Sequence, residues 1–370
     1  MMTTPAKSLL KLLLPRKWRR TIREHFVPLT VTHICGPKRI RLSGNEAIVT
    51  CVVKNGEFYI ESFITHYSRM GFRHIFLLDN GSTYQTVPIA KQHTNVSVCR
   101  SNLPIDGNQP LLKKYLARQS TEGGWCLDAD IDELFDYPFS NLIGLGEFLE
   151  YLNRRRYTAV ITQLLDMFSD KPLSHLTKTQ EENLREVYQY YDTSEVTQTQ
   201  YHASDLVGEH APGNELSSRE AAVYFGGIRK TLYGRDWLTN CCLTKHSLFL
   251  PGSKVELFPH VHFVNNARLA DISCVMLHYK LTSNALETAL QNKKGFVGIS
   301  KGYSDFIEFL IRKPDYQIKQ NTSVRFQSVN ELVDNGFLFV SEEYREYVRA
   351  AATGKGQADR QNGKATRLPI

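Results

Sequence analysis

The sequence predicts an α/β protein: a mostly parallel sheet flanked by helices, with a helical extension toward the C-terminal end. Three observations carry that expectation. Ala47-Ile48-Val49-Thr50-Cys51-Val52-Val53 is an unbroken run rich in β-branched residues, the mark of a strand buried on both faces. Ile60, Phe63, Ile64 and Tyr67 recur at i, i+3, i+4 and i+7, with Asn55 as the helix N-cap and Gly71 closing the helix. His74-Ile75-Phe76-Leu77-Leu78 then reads as a second strand, and strand, helix, strand in so short a span is a right-handed βαβ unit.

The other elements follow in order. Residues 1 to about 40 are basic, and their apolar part, Leu9 to Leu14, is far shorter than the roughly 20 residues a membrane-spanning helix needs. Leucines beside Lys11, Arg16, Lys17 and Trp18 could instead lie on an anionic membrane surface as a peripheral contact, or pack on the domain. Val96 to Cys99 reads as a third strand and Gln109 to Ser120 as a helix carrying Lys113, Lys114 and Arg118. In parallel sheets ligands bind beyond the carboxyl ends of the strands, which places Val53 to Glu57 and Asp79 to Ser82 at one rim.

Trp125-Cys126-Leu127-Asp128-Ala129-Asp130-Ile131-Asp132-Glu133-Leu134-Phe135 sets four carboxylates inside an apolar run. If this stretch stays extended, Asp128, Asp130 and Asp132 project from one side. Like charges so placed repel, and a divalent cation between them is the simplest relief; Mg2+ and Mn2+ prefer oxygen ligands. A solvated acidic turn is the blander reading, which the apolar flanks oppose. A calcium loop of the EF-hand type would require Gly and Glu where the chain has Glu133 and Phe139. Beyond Pro138, Gly146 to Arg155 reads as a helix, Tyr157 to Leu165 as a strand, and residues 170 to 220 as long loops. Glu287 to Leu310 and Glu331 to Arg349 look helical, and Ala351 to Ile370 reads as a disordered tail.

Composition narrows the classes without choosing one. A chain of 370 residues, 42% of them hydrophobic, can bury a full core. Its net charge of +7 suits anionic ligands, yet no basic stripe with interleaved aromatics points to nucleic acid. Seven cysteines, an odd number lying mostly in apolar runs, read as reduced, buried thiols in a cytoplasmic protein.

Several blocks in sequence resemble glycosyltransferase family 2, in its branch with a DxDE motif. They are Val52-Val53-Lys54-Asn55-Gly56-Glu57, Gly71 through Thr83, and Trp125 through Pro138. Shorter ones follow at Leu164 to Asp170, Gly226-Gly227-Ile228-Arg229-Lys230, Leu243-Thr244-Lys245 and Leu277-His278-Tyr279-Lys280. The resemblance implies a GT-A, Rossmann-like fold over residues 41–285, with a donor half (44–140) and an acceptor half (141–285). On that division 1–40 is a basic segment, 286–350 a helical extension and 351–370 a tail. It further implies transfer of a sugar from a nucleotide-sugar donor, UDP-linked, to a glycan, lipid-linked or protein acceptor, as in polysaccharide biosynthesis. Asp130 and Asp132 would hold the diphosphate through Mn2+ or Mg2+, with His278 as a late metal ligand. Val53, Lys54, Asn55 and Glu57 would line the base and ribose, and Asp79, with Asn80 and Ser82, would contact the nucleoside. Arg118, Arg229 and Lys245 are the cations expected on the donor. Asp128-Ala129-Asp130 is also a DxD, but the spacing from Trp125 favours Asp130, Asp132 and Glu133.

An inverting transfer requires a base near the acceptor hydroxyl. Asp166, Glu215, Asp236 and His260 are the candidates. Two other classes remain open at this point: nucleotidyl transfer, and a nucleotide-sugar-binding protein without turnover.

Overall fold

The computed structural model describes residues 22–176, 184–233, 241–252, 254–284, 308–309 and 311–361. Ten strands form one sheet: β1 (Val31–Cys35), β2 (Ala47–Val53), β3 (His74–Asp79), β4 (Val96–Ser101), β5 (Trp125–Asp128), β6 (Glu133–Asp136), β7 (Ala159–Asp166), β8 (Glu215–Leu216), β9 (Thr244–Phe249) and β10 (Arg268–His278). Across the sheet the order is β1, β4, β3, β2, β5, β9, β7, β10, and the far edge of β10 carries β8 at its start and β6 at its end. The run β4-β3-β2-β5 is parallel, as is β7-β10. β9 is antiparallel to both of its neighbours and joins these two parallel blocks.

Local sequence explains the elements that position the rim. β2 is buried along its whole length because successive side chains serve different cores. Ala47, Val49, Cys51 and Val53 join the cluster under α1 (Ile60–Met70), whereas Ile48 and Val52 join the one under α2 (Gln109–Ser120). α1 buries Ile60, Phe63, Ile64 and Tyr67 as its spacing predicts, each side chain contributing roughly 1.5–3 kcal/mol. Gly71 ends it at φ +94°, a left-handed position that costs glycine nothing, while Phe72 N donates to Tyr67 O at 3.1 Å. Trp125 anchors the start of β5, wholly buried, with its Nε1 donating to Asn153 of α3 (Leu145–Arg154) at 3.1 Å.

The structure differs from several expectations. Asn55 does not cap α1: it adopts φ +53° five residues before the helix, and its Oδ1 accepts from Thr83 N instead. The basic segment does not extend to residue 40, because Val31–Cys35, a β-branched run, pairs antiparallel with β4 as an edge strand. Helix α6 (Glu342–Gln361) continues well past residue 351, where alanines favour helix over the expected tail. The helical extension packs on the main core: Leu332 and Val333 of α5 (Val329–Asp334) and Tyr344 of α6 join the same apolar cluster as α1. Most of the helix expected over 287–310 lies outside the described residues. Among the described residues no helix is long and apolar enough to cross a membrane. All seven cysteines are unpaired.

Candidate active site

Register brings the acidic stretch to the rim. Val53 pairs with Asp79 and Thr50 with Asp128, so β2, β3 and β5 end at the same side of the sheet. β5 then stops at Asp128, and residues 129–132 turn rather than continue extended. Glu133 makes that turn: its side chain accepts from Asp130 N at 2.9 Å, and its own N–H donates to Asp130 O at 3.0 Å. Asp128 and Asp130 both reach Lys113 while Asp132 turns to His278, so the three aspartates do not share one face. Cationic and imidazole partners relieve the repulsion among them.

Two of those partners are buried lysines. Lys113 of α2 meets Asp128 Oδ2 at 2.6 Å and Asp130 Oδ1 at 2.9 Å. Lys245 of β9 meets Asp130 Oδ2 at 2.9 Å and also bonds Glu133. Burial works to raise the Asp130 pKa, but both ammonium groups outweigh it and hold it well below the usual range. Burial likewise pushes Asp128 up to about 6 against the pull of Lys113. Lys113 and Lys245 are the counter-charges of Asp128, Asp130 and Glu133. Lys245, expected on the donor, is an internal counter-ion. Lys113 was not singled out from sequence. The available signal was its place on the buried face, since Ala117 and Ser120, one and two turns on, are also buried.

Asp132 is set differently. Its backbone O accepts from Tyr279 N at 2.8 Å, and its Oδ2 faces His278 Nε2 at 3.5 Å. His278 ends β10, where it is paired with Glu133 on one side and Asp166 on the other. Its Nδ1 lies 2.5 Å from Asp166 Oδ1. Asp166 is gripped in turn by Arg229, Nε to Oδ2 at 2.6 Å and Nη2 to Oδ1 at 2.7 Å. Arg229 Nη2 lies 2.7 Å from Nδ1 as well as from Asp166 Oδ1; a cation on Nε2 would require Nδ1 to carry the ring proton and donate it to Asp166. Burial lowers the His278 pKa, but Asp132 and Asp166 outweigh it and the net shift is upward. Burial would raise Asp166, yet Arg229 and then His278 bring it below its ordinary value. Arg229 sits on α4 (Ile228–Tyr233), delivered by Gly226 and Gly227 at φ +84° and +63°; a Cβ on Gly226 would lie 2.7 Å from Glu195 O. Lys280, two residues past His278, has its pKa lowered by burial and then by Arg229.

The remaining candidates fall into three groups. At the β2 and β3 ends, Val53 is buried and Lys54 exposed, Asn55 N donates to Ser82 Oγ at 2.9 Å, and Glu57 accepts from Thr86 Oγ1 at 2.9 Å. Asp79, expected on the nucleoside, is fully buried, its Oδ1 accepting from Ser82 N and its Oδ2 paired with Arg100 at 2.7 Å; it shapes the rim from beneath. Asn80 does the same by donating to Ser101 O and Leu103 O.

Others are displaced or committed. Arg118 is exposed on the last turn of α2, roughly 7.5 Å further along the helix than Lys113 and away from the rim. Glu215 pairs with Arg268, ten residues before His278 on β10, roughly 33 Å away along an extended strand. Asp166 is committed to Arg229 and His278, and Arg229 in turn to Asp166. His260 ends a short hairpin, Glu256–His260 with Phe263–Asn265, where its ring stacks on His210 at 4.7 Å. Burial and then His210 lower its pKa to about 4, which leaves it neutral at pH 7. Asp236 lies outside the described residues.

Among the described residues no three His, Cys, Asp or Glu side chains are arranged to hold one ion. Asp132 and His278 nevertheless fit as a pair of donors. Mg2+ and Mn2+ commonly bind through one or two protein groups with substrate phosphates completing the shell. A ligating histidine usually gives its other N–H to a carboxylate, and Asp166 Oδ1 stands 2.5 Å from His278 Nδ1, where it would receive it.

The fold and site together define an α/β protein whose carboxylate–imidazole pair stands at the carboxyl ends of a largely parallel sheet. No family model matches the chain, and no curated protein matches it. Among solved structures, one similarity is to glucosyl-3-phosphoglycerate synthase from Mycobacterium tuberculosis, a complex with Mn2+, UDP and glucosyl-3-phosphoglycerate. It shows 19% identity and a TM-score of 0.23, covering 33% of this chain and 44% of that one. Another is to S. aureus TarS, with 14% identity and a TM-score of 0.31, covering 74% of this chain and 44% of that one. The matched part is thus under half the length of either.

Proposed function

We propose that the chain is a metal-dependent glycosyltransferase, moving a sugar from a UDP-linked donor to a glycan, lipid-linked or protein acceptor. The observation that carries this is the array Asp132, His278, Asp166 and Arg229 at the sheet rim. It sets one carboxylate oxygen 3.5 Å from one imidazole nitrogen, with a second carboxylate behind the ring. Mn2+ or Mg2+ bound there would supply Lewis acidity to the leaving diphosphate. Asp132 and His278 would hold the ion, and Asp166 would keep the His278 ring oriented through Nδ1. Arg229 keeps Asp166 ionised for that task. Lys280, two residues past the end of β10, would add positive charge where a leaving diphosphate gathers negative charge. The turn of Asn55, Ser82 and Thr83 shapes the adjoining rim for the nucleoside.

The reading is supported further by the DxDE resemblance at Asp130, Asp132 and Glu133. A panel of nucleotide sugars with Mn2+ tests it by thermal shift, because a ligand that binds only the folded state raises the melting temperature. Stabilisation by UDP-sugars that disappears on chelation is expected, followed by release of UDP, not pyrophosphate, once an acceptor is supplied. No shift with any nucleotide sugar would contradict the reading, and pyrophosphate release would redirect it to nucleotidyl transfer.

A further inference from the structure

Both oxygens of Asp130 are already met by ammonium nitrogens, Oδ1 by Lys113 and Oδ2 by Lys245, each at 2.9 Å. The two lysines arrive from different elements, α2 and β9, and their side chains are only 1% and 4% exposed. Neither is spare, since Lys113 also holds Asp128 and Lys245 also holds Glu133. A buried ammonium stripped of its carboxylate is costly, so these pairs resist opening. A divalent ion placed on an Asp130 oxygen would stand beside one of those charges and be repelled twice as strongly as a univalent one. Asp132 instead faces the imidazole of His278.

We propose that Lys113 and Lys245 are positioning residues that withhold Asp130 from the divalent cation. They leave Asp132 and His278 as its protein ligands, while Asp130, whose side chain is 32% exposed, stays committed to the two ammonium groups. The inference rests on the glycosyltransferase reading above. With only two protein donors, the ion alone binds weakly and binds well once a nucleotide diphosphate completes its shell. Lys113→Met keeps the length of the side chain, removes its charge and releases the carboxylates of Asp128 and Asp130. Affinity for the ion alone should therefore rise, the reverse of what losing a ligand does.

The experiment titrates Mn2+ into the full chain with and without saturating UDP, following the free ion by electron paramagnetic resonance. Without nucleotide, Lys113→Met should bind Mn2+ at least ~10-fold more tightly than wild type, as expected when a repelling charge leaves and oxygen ligands are freed. With UDP, Asp132→Asn should weaken Mn2+ by about 10-fold or more, whereas Asp130→Asn should leave it within about threefold of wild type. A folded Lys113→Met protein that binds Mn2+ no more tightly than wild type overturns the inference. Should that variant not fold, as judged by circular dichroism, the two aspartate variants decide alone, and equal losses in both overturn it. Wild type that binds no Mn2+ even with UDP removes the glycosyltransferase reading and this inference together.

Discussion

His278 is held at both ring nitrogens by carboxylates, Asp166 at 2.5 Å and Asp132 at 3.5 Å. That arrangement makes Asp166 the residue whose loss should separate orientation from ligation. Asp166→Asn keeps the shape but loses the charge that Arg229 and His278 need. The expected outcome is roughly 10–100-fold weaker metal binding, with stability lowered by about 3–5 kcal/mol because Arg229 is left without its counter-charge. Mn2+ titration and urea unfolding measure the two effects, and unchanged metal affinity would mean that Asp166 does not orient the ring. Of these residues the sequence marked Asp130 and Asp132 as carboxylates in an apolar run, whereas His278, flanked by Leu277 and Tyr279, reads by itself as a core histidine and entered only through the family resemblance. It did not show which cation answered which acid. Lys113 lies 15 residues before Asp128, and on a helix of unknown orientation it reads as one more solvated charge. Only the packing of α2 on β2 and β5 turns it inward.

At the level of elements, β10 organises the site. Ten of its eleven residues are buried, and it receives β7 on one edge and β8 and β6 on the other. Its sequence hid this, because Asp271 and Ser273 break the apolar run that marks β2. Asp271 is buried because Tyr151 and Ser341 donate to its Oδ2 at 2.7 and 2.6 Å, partners more than 60 residues away in each direction. By contrast the α2 boundaries, Gln109 to Ser120, and the β3 start at His74 were readable, since their apolar spacing is local. The turn at 129–132 was not, because it depends on Lys113, Lys245 and the Glu133 bond to Asp130 N. A second element-level joint ties Tyr190–Tyr191 to Val324–Arg325, with Asp192 accepting from Ser194, Thr322 and Ser323. Burial would raise the Asp192 pKa, but those hydrogen bonds outweigh it and lower the pKa below its ordinary value of 3.8. A carboxylate lowered in the folded state stabilises above its unfolded pKa and loses that contribution as pH falls through the lowered value. Asp192→Asn should therefore cost about 1–3 kcal/mol at pH 7, with the gap from wild type closing below about pH 4. A gap independent of pH in unfolding curves would contradict that account.

Across the whole molecule, the C-terminal helices complete the core that supports the rim. Leu332 is fully buried in the cluster that contains Phe63, Tyr67 and Trp125, and Tyr344 reaches back to donate to Pro138 O at 2.8 Å. Leu332→Ala should lower stability by roughly 2–5 kcal/mol and shift one cooperative transition. Loss of the C-terminal part alone, in a separate earlier transition, would show that the core is divided. This dependence was hard to read because the contacts span some 200 residues, and sequence patterns report only neighbours. The proposed function rests on Asp132 and His278 receiving a cation that carries a nucleotide diphosphate. Calorimetric titration of UDP in the presence of Mn2+ tests that claim most directly. Wild type should bind UDP with Mn2+ and lose that binding on chelation, and Asp132→Asn should bind at least ~10-fold more weakly. Equal UDP affinity in both proteins, with or without Mn2+, would contradict it.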